Sequence, residues 1–419
     1  MLQNDWIRYS LRSRWDNFTL LAICAFALAV NFGVALVSLT KLLLLAALLG
    51  QFWSDGWKGV KDRLRQMPIT IWVVFTALVW FALTALWTEA DSGDAFVAYV
   101  KHARFVWLFV VLYLIRTTER AWTLLLWLGV GQFLMLLTSW MLWLGIPIPF
   151  AKADYPSELG IVSSSTLEQP IMITLFCALL WHLREHWKLF FGPRLGEWIV
   201  GLGLILGVAN VFFVMTGRTG YLVMFSFLAL SFLIALPKSW RIVAIVLPFI
   251  LMIVVFYVSP RFNERVLAVR DDVTKFQQGI VLTSQGLRLD FWRTSIRGAL
   301  EKPLIGHGVG SFSNVYASHG GFLKTVVKNP HQQYLLWFVE GGGIALALLL
   351  CFFSALIRDA KKLTRGAEFA LVSVTAIAAI TSLANSPFFD AGIGHFLLLT
   401  MAGLLGTRSS QTLRRTVPI

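Results

Sequence analysis

The stretch "NPHQQYLLWFVEGGG" (Asn329 to Gly343) sets a histidine and two glutamines directly ahead of a run suited only to lipid. An ionisable group at the mouth of an apolar helix is costly, so a functional pathway or an ion pair is the expectation there. The reading of this stretch as a membrane entry point decides the fold.

Working outward from it, the composition agrees. The chain of 419 residues is 57% hydrophobic and 14% charged, with a mean hydropathy of +0.72. That is too apolar for a soluble domain and implies an all-α polytopic membrane protein. A hydrocarbon core about 30 Å thick needs roughly 20 apolar helical residues to cross it. Twelve such segments are expected, near 18–32, 34–53, 69–88, 99–115, 121–145, 167–183, 196–216, 219–236, 240–258, 334–356, 366–385 and 391–406. Spans of a β-barrel would alternate in polarity, and these runs do not. The chain divides into residues 1–258 with the first nine spans, a loop domain at 259–333, and residues 334–419 with three more spans and a tail.

Basic residues of the short connections fall at every second boundary: Arg8/Arg12/Arg14, Lys58/Lys61/Arg63/Arg65, Arg116/Arg120, Arg184/Lys188/Arg194, Lys238/Arg241, Arg358/Lys361/Lys362/Arg365 and Arg408/Arg414/Arg415. The positive-inside rule places them, and both termini, in the cytoplasm. Arg8 to Arg14 followed by an apolar run ending "ALA" (Ala27 to Ala29) has the outline of a signal peptide. The apolar region continues at once into a second span, so a retained first helix is expected. Cys24, Cys177 and Cys351 lie within spans and imply no disulfide framework. The net charge of +14 reflects topology and anionic lipid rather than nucleic acid.

The loop from Ser259 to Pro330 breaks the charge rule, with ten bases against five acids on the outer side. Long loops are translocated largely regardless of charge, so the topology stands and the excess asks for an anion. Within it, Leu287 to Leu300 reads as an amphipathic helix with Leu287, Phe291, Ile296 and Leu300 on one face. Lys302-Pro303 ends it, and Gly306, Gly308 and Gly310 make a flexible turn. Arg293 and Arg297 are assigned to lipid phosphates at the surface, and Arg288 to function. Further bases sit at the outer boundary: Arg218 in the short joint "MTGRTGYLVM" (Met215 to Met224), and Lys101, His102 and Arg104 in "YVKHARF" (Tyr99 to Phe105). Lys41, two turns into the second span, reads equally as a snorkelling side chain. Lys101, Arg104, Arg218 and Arg288 share the level of a lipid-linked diphosphate, and the planar fork of arginine suits phosphate.

"TGRTGYL" at the outer hairpin, "KPLIGHGVGSF" in the large loop and "PHQQYLLWFVEGG" at the next span together resemble the O-antigen ligase and polymerase superfamily. The order and placement of the motifs, along the whole chain, carry the resemblance. Members commonly have Asn after the motif histidine, where this chain has Gln332; the amide is kept and lengthened. The resemblance implies an architecture of the GT-C glycosyltransferase type, with a large, partly helical periplasmic loop. It also implies transfer of O-antigen polysaccharide from undecaprenyl diphosphate to a sugar hydroxyl of the lipid A core, at the periplasmic face of the bacterial inner membrane.

On this reading His331 is the general base, and Arg218 and Arg288 hold the departing diphosphate. Lys101, Arg104, Arg265, Gln332 and Tyr334 join Arg218 and Arg288 as donor-binding candidates. Nearby arginines should depress the pKa of His331 and keep it neutral. The alternative role for His331 is a cap for the tenth span. Glu340 is expected to be a structural partner for an arginine. The partners are the lipid-linked O-antigen, the lipid A-core and membrane lipids, with a monomer or weak dimer expected and no cofactor or metal. Two rival functions are an O-antigen polymerase, with the same donor, and a transporter, which the lack of two matched halves disfavours. A cation held by "EADSGD" (Glu89 to Asp94), or zinc on His307, His319 and His331, is the metal-dependent alternative.

Overall fold

The computed structural model describes residues 2–408 apart from Ala153 and Leu236; of the side chains of residues 2–14 and of Lys238, Ala244 and Ile245 nothing is described. The basic residues Arg8, Arg12, Arg14, Lys238, Arg414 and Arg415 therefore lie outside the described side chains. Among the described residues the elements are helical. They are α1 (Leu2–Ala29), α2 (Val34–Arg65), α3 (Ile69–Thr84), α4 (Ser92–His102), α5 (Val106–Leu114), α6 (Thr118–Trp143), α7 (Glu168–His182) and α8 (Arg184–Phe191). There follow α9 (Pro193–Ala209), α10 (Arg218–Ala235), α11 (Arg241–Val258), α12 (Pro260–Gln277), α13 (Ser284–Glu301), α14 (Phe312–Ser318), α15 (Gln333–Ala360), α16 (Arg365–Ala384) and α17 (Ala391–Gly406). Each of the twelve expected segments is helical. Eight helices among the described residues are long and apolar enough to cross a membrane, by length and composition; Trp15–Ala29, Ile69–Thr84 and Ala391–Gly406 are shorter apolar helices, and α7 has 15 residues.

Local chemistry sets the boundaries. Thr117, Ser259 and Thr283 accept backbone N–H bonds as N-caps of α6, α12 and α13, and proline opens α9 and α12. The bundle packs α15 between α3 and α16, α17 against α5 and α6, and α7 against α9, α10 and α16. The loop domain is the α12–α13 hairpin with α14, and α13 lies against α15.

The critical joint is a break in α15. Gly342 takes φ 68°, ψ −167°, so the helix loses its backbone pairing across the glycine run. Backbone groups stripped of partners in a membrane cost several kcal/mol each unless protein satisfies them. The turn after α13 supplies them. His307 N donates to Val339 O at 2.9 Å and Gly308 N to Glu340 O at 2.9 Å, while Gly343 N donates to Pro303 O at 2.8 Å and Ile344 N to Leu304 O at 3.3 Å. Trp80 Nε1 completes the set by donating to Gly341 O at 2.9 Å.

This arrangement corrects the expectation of a flexible glycine turn. Gly306, Gly308 and Gly310 have φ of 69°, 95° and 81°, and a Cβ on Gly308 would lie 2.2 Å from Thr88 Cα. The glycines are there because the turn must press against α15 and the α3–α4 link in left-handed backbone. The same segment captures the acidic outer link. Glu89 Oε1 accepts from Lys302 at 2.6 Å and meets His307 Nδ1 at 3.0 Å, and Lys328 reaches Asp94 at 2.7 Å. Burial pushes the Glu89 carboxyl up, but the hydrogen bonds and charges of Lys302 and His307 outweigh it and hold the group below the usual range.

Two further expectations need correction. Phe291 is buried on α13, but Ile296 and Leu300 are 48% and 64% exposed, and the packed face is Asp290, Thr294, Ser295, Gly298 and Ala299. Small and polar residues take that face because α13 packs closely on α14 and α15; Asp290 accepts from Tyr316 Oη at 2.6 Å and from Phe322 N at 3.0 Å. The partner of Glu340 is His102 at 2.7 Å, not an arginine, with both side chains 1% exposed. The ring of Phe81 stacks on His102 at 4.1 Å, and Arg104, just past the end of α4, bonds the carbonyl of Phe388 instead.

Gly308→Ala should therefore lower the melting temperature sharply or abolish the folded peak in size-exclusion chromatography. The left-handed backbone alone costs about 1–2 kcal/mol for a residue with Cβ. Gly201→Ala, in α9 with nothing within 4 Å of an added Cβ, should melt at or above the parent.

Candidate active site

Three segments distant in sequence meet at one end of the bundle. The first is the start of α10. An added Cβ on Gly217 would lie 2.0 Å from Thr166 O, and one on Gly220 would lie 2.4 Å from Pro170 Cβ. The absence of side chains lets α10 dock on the start of α7, which turns Arg218 toward α12. There Arg218 Nη1 meets Asp272 Oδ2 at 3.1 Å, with both side chains largely buried.

The second segment is the start of α13. Thr283 caps it, and Arg288 follows in its second turn. Arg288 has no ion pair or side-chain hydrogen bond among the described residues. Burial lowers its pKa, and the neighbouring positive charge of Arg218 lowers it further. Two guanidiniums thus approach one another with one carboxylate, Asp272, between them in the accounting of charge. A cluster of this kind is stabilised by an anion.

The third is "NPHQ" (Asn329 to Gln332). Asn329 Oδ1 accepts the backbone N–H of His331 at 2.9 Å and the hydroxyl of Ser386 at 2.7 Å. His331 is held at φ 52°, the one non-glycine residue with positive φ among the described residues. Such strain persists where surrounding structure over-determines it, and it clusters at functional sites. The imidazole lies 6.2 Å from the Phe291 ring, centroid to centroid. Its Nδ1 is buried with no hydrogen-bond partner, and Asn385 lies beside the ring. The pKa of His331 is lowered first by burial and then by Arg288, so its neutral form is favoured at neutral pH. Burial outweighs the arginine repulsion on which the sequence argument relied.

The capping role belongs to the next residue. Gln332 Oε1 accepts from Leu335 N at 2.9 Å, so the amide expected at the donor is engaged as the N-cap of α15. Tyr334 donates its hydroxyl to Ala379 O at 2.9 Å in the α15–α16 interface. Arg265 is exposed on α12, without an ion pair among the described residues, in the neighbourhood of Tyr221. Arg293 and Arg297 are exposed on α13.

Lys101 and Arg104 form a separate group around the α16–α17 turn "NSPFFD" (Asn385 to Asp390). Arg104 Nη1 donates to Phe388 O at 2.9 Å, and Lys101 Nζ lies 4.5 Å from the Phe389 ring centroid. Both bases face Asp390, whose carboxyl is pushed up to about 6 because burial outweighs them. Lys41 lies 5.4 Å from the Trp107 ring centroid within the same region of the bundle. The turn is pinned from the other side by Gln333, whose N–H donates to Asn385 O at 3.0 Å and whose Oε1 accepts from Phe388 N at 3.1 Å. Asn385 lies against both His331 and Asp390, and neither of its amide atoms has a partner of hydrogen-bond geometry. The sequence reading missed Asn385 and Asp390. Two polar residues and a proline between apolar spans were the available signal.

Glu89 and Asp94 are engaged by bases, and His307 and His319 lie together at 6.4 Å while His331 packs on Phe291. No group of three or more potential metal ligands occurs among the described residues.

Residues 202–350, from α9 into α15, match the family model described as O-antigen ligase. The match takes in about a third of the chain and marks that segment as similar to the O-antigen ligase superfamily. The matched region contains Arg218, Arg288 and His331, and the O-antigen ligase match leaves Lys101, Arg104 and the α16–α17 turn outside its bounds. No curated protein matches the chain at a significant level.

Removing the Gln332 amide should cost about 1 kcal/mol of helix capping, so Gln332→Ala should melt below the parent. His331→Gly relieves a left-handed residue and should melt at or above it. A large drop for His331→Gly in differential scanning fluorimetry would show that the imidazole is structural.

Proposed function

We propose that this chain is a glycosyltransferase of the ligase branch. It moves O-antigen polysaccharide from undecaprenyl diphosphate to a sugar hydroxyl of the lipid A core, without a metal. In this reading the chain crosses the bacterial inner membrane twelve times, in an architecture of the GT-C type, with the loop domain and His331 on the periplasmic face. The observation that carries the reading is the meeting of a neutral, unpartnered imidazole with Arg288 and Arg218.

A sugar hydroxyl is a poor nucleophile and needs a base as it attacks. Neutral His331 accepts that proton. The bond from the anomeric carbon to the diphosphate oxygen breaks as the new glycosidic bond forms, and the leaving diphosphate gains negative charge. Arg288, with no carboxylate of its own, meets that charge; Arg218, oriented by Asp272, adds a second fork. Interactions that strengthen as charge develops act on the rate rather than on donor affinity. Lys101 and Arg104 sit one turn of chain away, around Asp390, and fit a supporting role toward the lipid-linked donor.

Transfer in nanodiscs tests this. His331→Ala should lose about two to four orders of magnitude in rate while remaining folded. Arg288→Lys and Arg218→Lys should lose most turnover with donor binding largely kept, and Arg293→Lys and Arg297→Lys should be nearly silent. A chelator should leave the activity unchanged. Harmless lysine at 218 and 288 would remove the diphosphate site. In a deletion strain, core-only lipopolysaccharide with accumulated lipid-linked polymer supports the ligase; core bearing one repeat would indicate a polymerase.

The pH profile supplies a further check. Burial, and after it Arg288, lowers the pKa of His331, so the acid limb of kcat/KM should lie below the ordinary imidazole value near 6.5. Arg288→Gln removes that repulsion and should move the residual limb to higher pH. A limb that does not move would separate the two residues.

A further inference from the structure

The opposite end of the bundle holds a second cluster of arginines that the transfer reaction does not use. A cavity of about 340 Å³ opens where α2, the α5–α6 link and α17 end, and Arg63, Arg116 and Arg408 line it together with Gln66 and Glu119. Each guanidinium comes from a different element. Arg63 has no carboxylate within salt-bridge distance among the described residues; it donates to the carbonyls of Tyr113 at 2.9 Å, Leu112 at 3.4 Å and Ile115 at the end of α5. Arg116 reaches Asp55 through Nη2 alone, at 2.5 Å, and its Nε is buried without a partner.

Arg408 Nη2 forms an ion pair with Asp359 Oδ1 at 2.9 Å, and its Nε is buried without a partner. Asp359 is already served by Thr70, through its amide and its hydroxyl, and by Lys362. The carboxylate on the cavity wall is Glu119, which is turned to its own amide and to Thr117 at the start of α6. Three guanidiniums, of which Arg116 and Arg408 each keep a buried Nε–H without a partner, therefore share a cavity with one exposed carboxylate.

We propose that this cavity binds the phosphate of an anionic lipid headgroup. Arginine forks recognise phosphate oxygens through parallel charge-assisted bonds, and unsatisfied buried N–H groups make such an anion stabilising. The source follows from the walls. Met67, Ile115 and Leu405 line the same cavity, at the level where the apolar runs of α5 and α17 stop, which suits a phosphate tethered to acyl chains. Basic pockets between membrane helices are a recurring form of lipid recognition. This site is separate from His331, and its test does not depend on any transfer reaction.

The test uses the full-length protein in detergent, with binding read by native mass spectrometry and by thermal shift. Dioctanoyl phosphatidylglycerol should bind and raise the melting temperature; dioctanoyl phosphatidylcholine should do neither, and inorganic phosphate should bind far more weakly. Gln66 is exposed at the rim and makes no side-chain bond among the described residues, so Gln66→Glu keeps the fold and sets a negative charge against the ligand. It should weaken phosphatidylglycerol binding by about tenfold or more, as close like charges repel. Gln277→Glu, the same change on exposed α12, should leave binding intact. Arg116→Gln should weaken binding as Gln66→Glu does. Equal binding of the two lipids, or binding unaltered by Gln66→Glu, overturns the site. Inorganic phosphate binding as tightly as phosphatidylglycerol overturns the lipid as its source.

Discussion

The structure depends on how the broken backbone of α15 is satisfied. Gly342 interrupts a helix deep in the bundle, and the amides and carbonyls it frees must be bonded by protein. The segment Pro303–Gly308 does so in register, two bonds in each direction. That pairing fixes the end of α13 against α15, and α13 carries Arg288. The same segment holds the α3–α4 link through Glu89 and Thr88, so the loop domain is anchored to the bundle rather than suspended above it. His331 enters at the head of the very helix whose break sets this geometry.

The electrostatics of the site follow from that anchoring. Arg288 and Arg218 are brought close although like charges repel, and burial adds to the cost. Asp272 offsets part of it at Arg218 and none of it is offset by an ion pair at Arg288. His331 is placed in the same field, strained in φ and stripped of partners at Nδ1. A native state rarely keeps such a group of costs together without a use. The α16–α17 turn separates this group from Lys101 and Arg104. Through Asn385 and Asp390 it touches both.

Much of this was legible in the sequence, and the reasons are specific. That Arg218, Arg288 and His331 stand at the ends of helices on one side of the bundle could be expected because span boundaries follow hydropathy and charge. That Arg218 and Arg288 meet was an expectation from level alone; their approach rests on Gly217 and Gly220 letting α10 dock on α7, which the short joint did not reveal. The face of α13 was misjudged because Ile296 and Leu300 look like core residues. A helix packed against α14 and α15 needs small side chains there, and at a membrane protein's surface apolar residues are free to point outward. Gln332 looked like a ligand for substrate, but an amide one residue ahead of a helix is equally a cap, and geometry chose the cap.

The sequence by itself determined that the chain is helical and apolar along its length and where each apolar run begins and ends, and it brought His331, Arg218 and Arg288 forward as candidates for the chemistry of a base and of phosphate binding. Those properties are local: they follow from composition, periodicity and the cost of placing charge near lipid. The tertiary structure alone decided that Glu340 answers to His102, that the glycines of the large loop mend a broken helix, and that Asn385 and Asp390 join the two basic groups. These are contacts between residues tens to hundreds of positions apart. Close approach of backbones, permitted only where glycine leaves no Cβ in the way, is what made those pairings, and spacing along the chain carries no record of it.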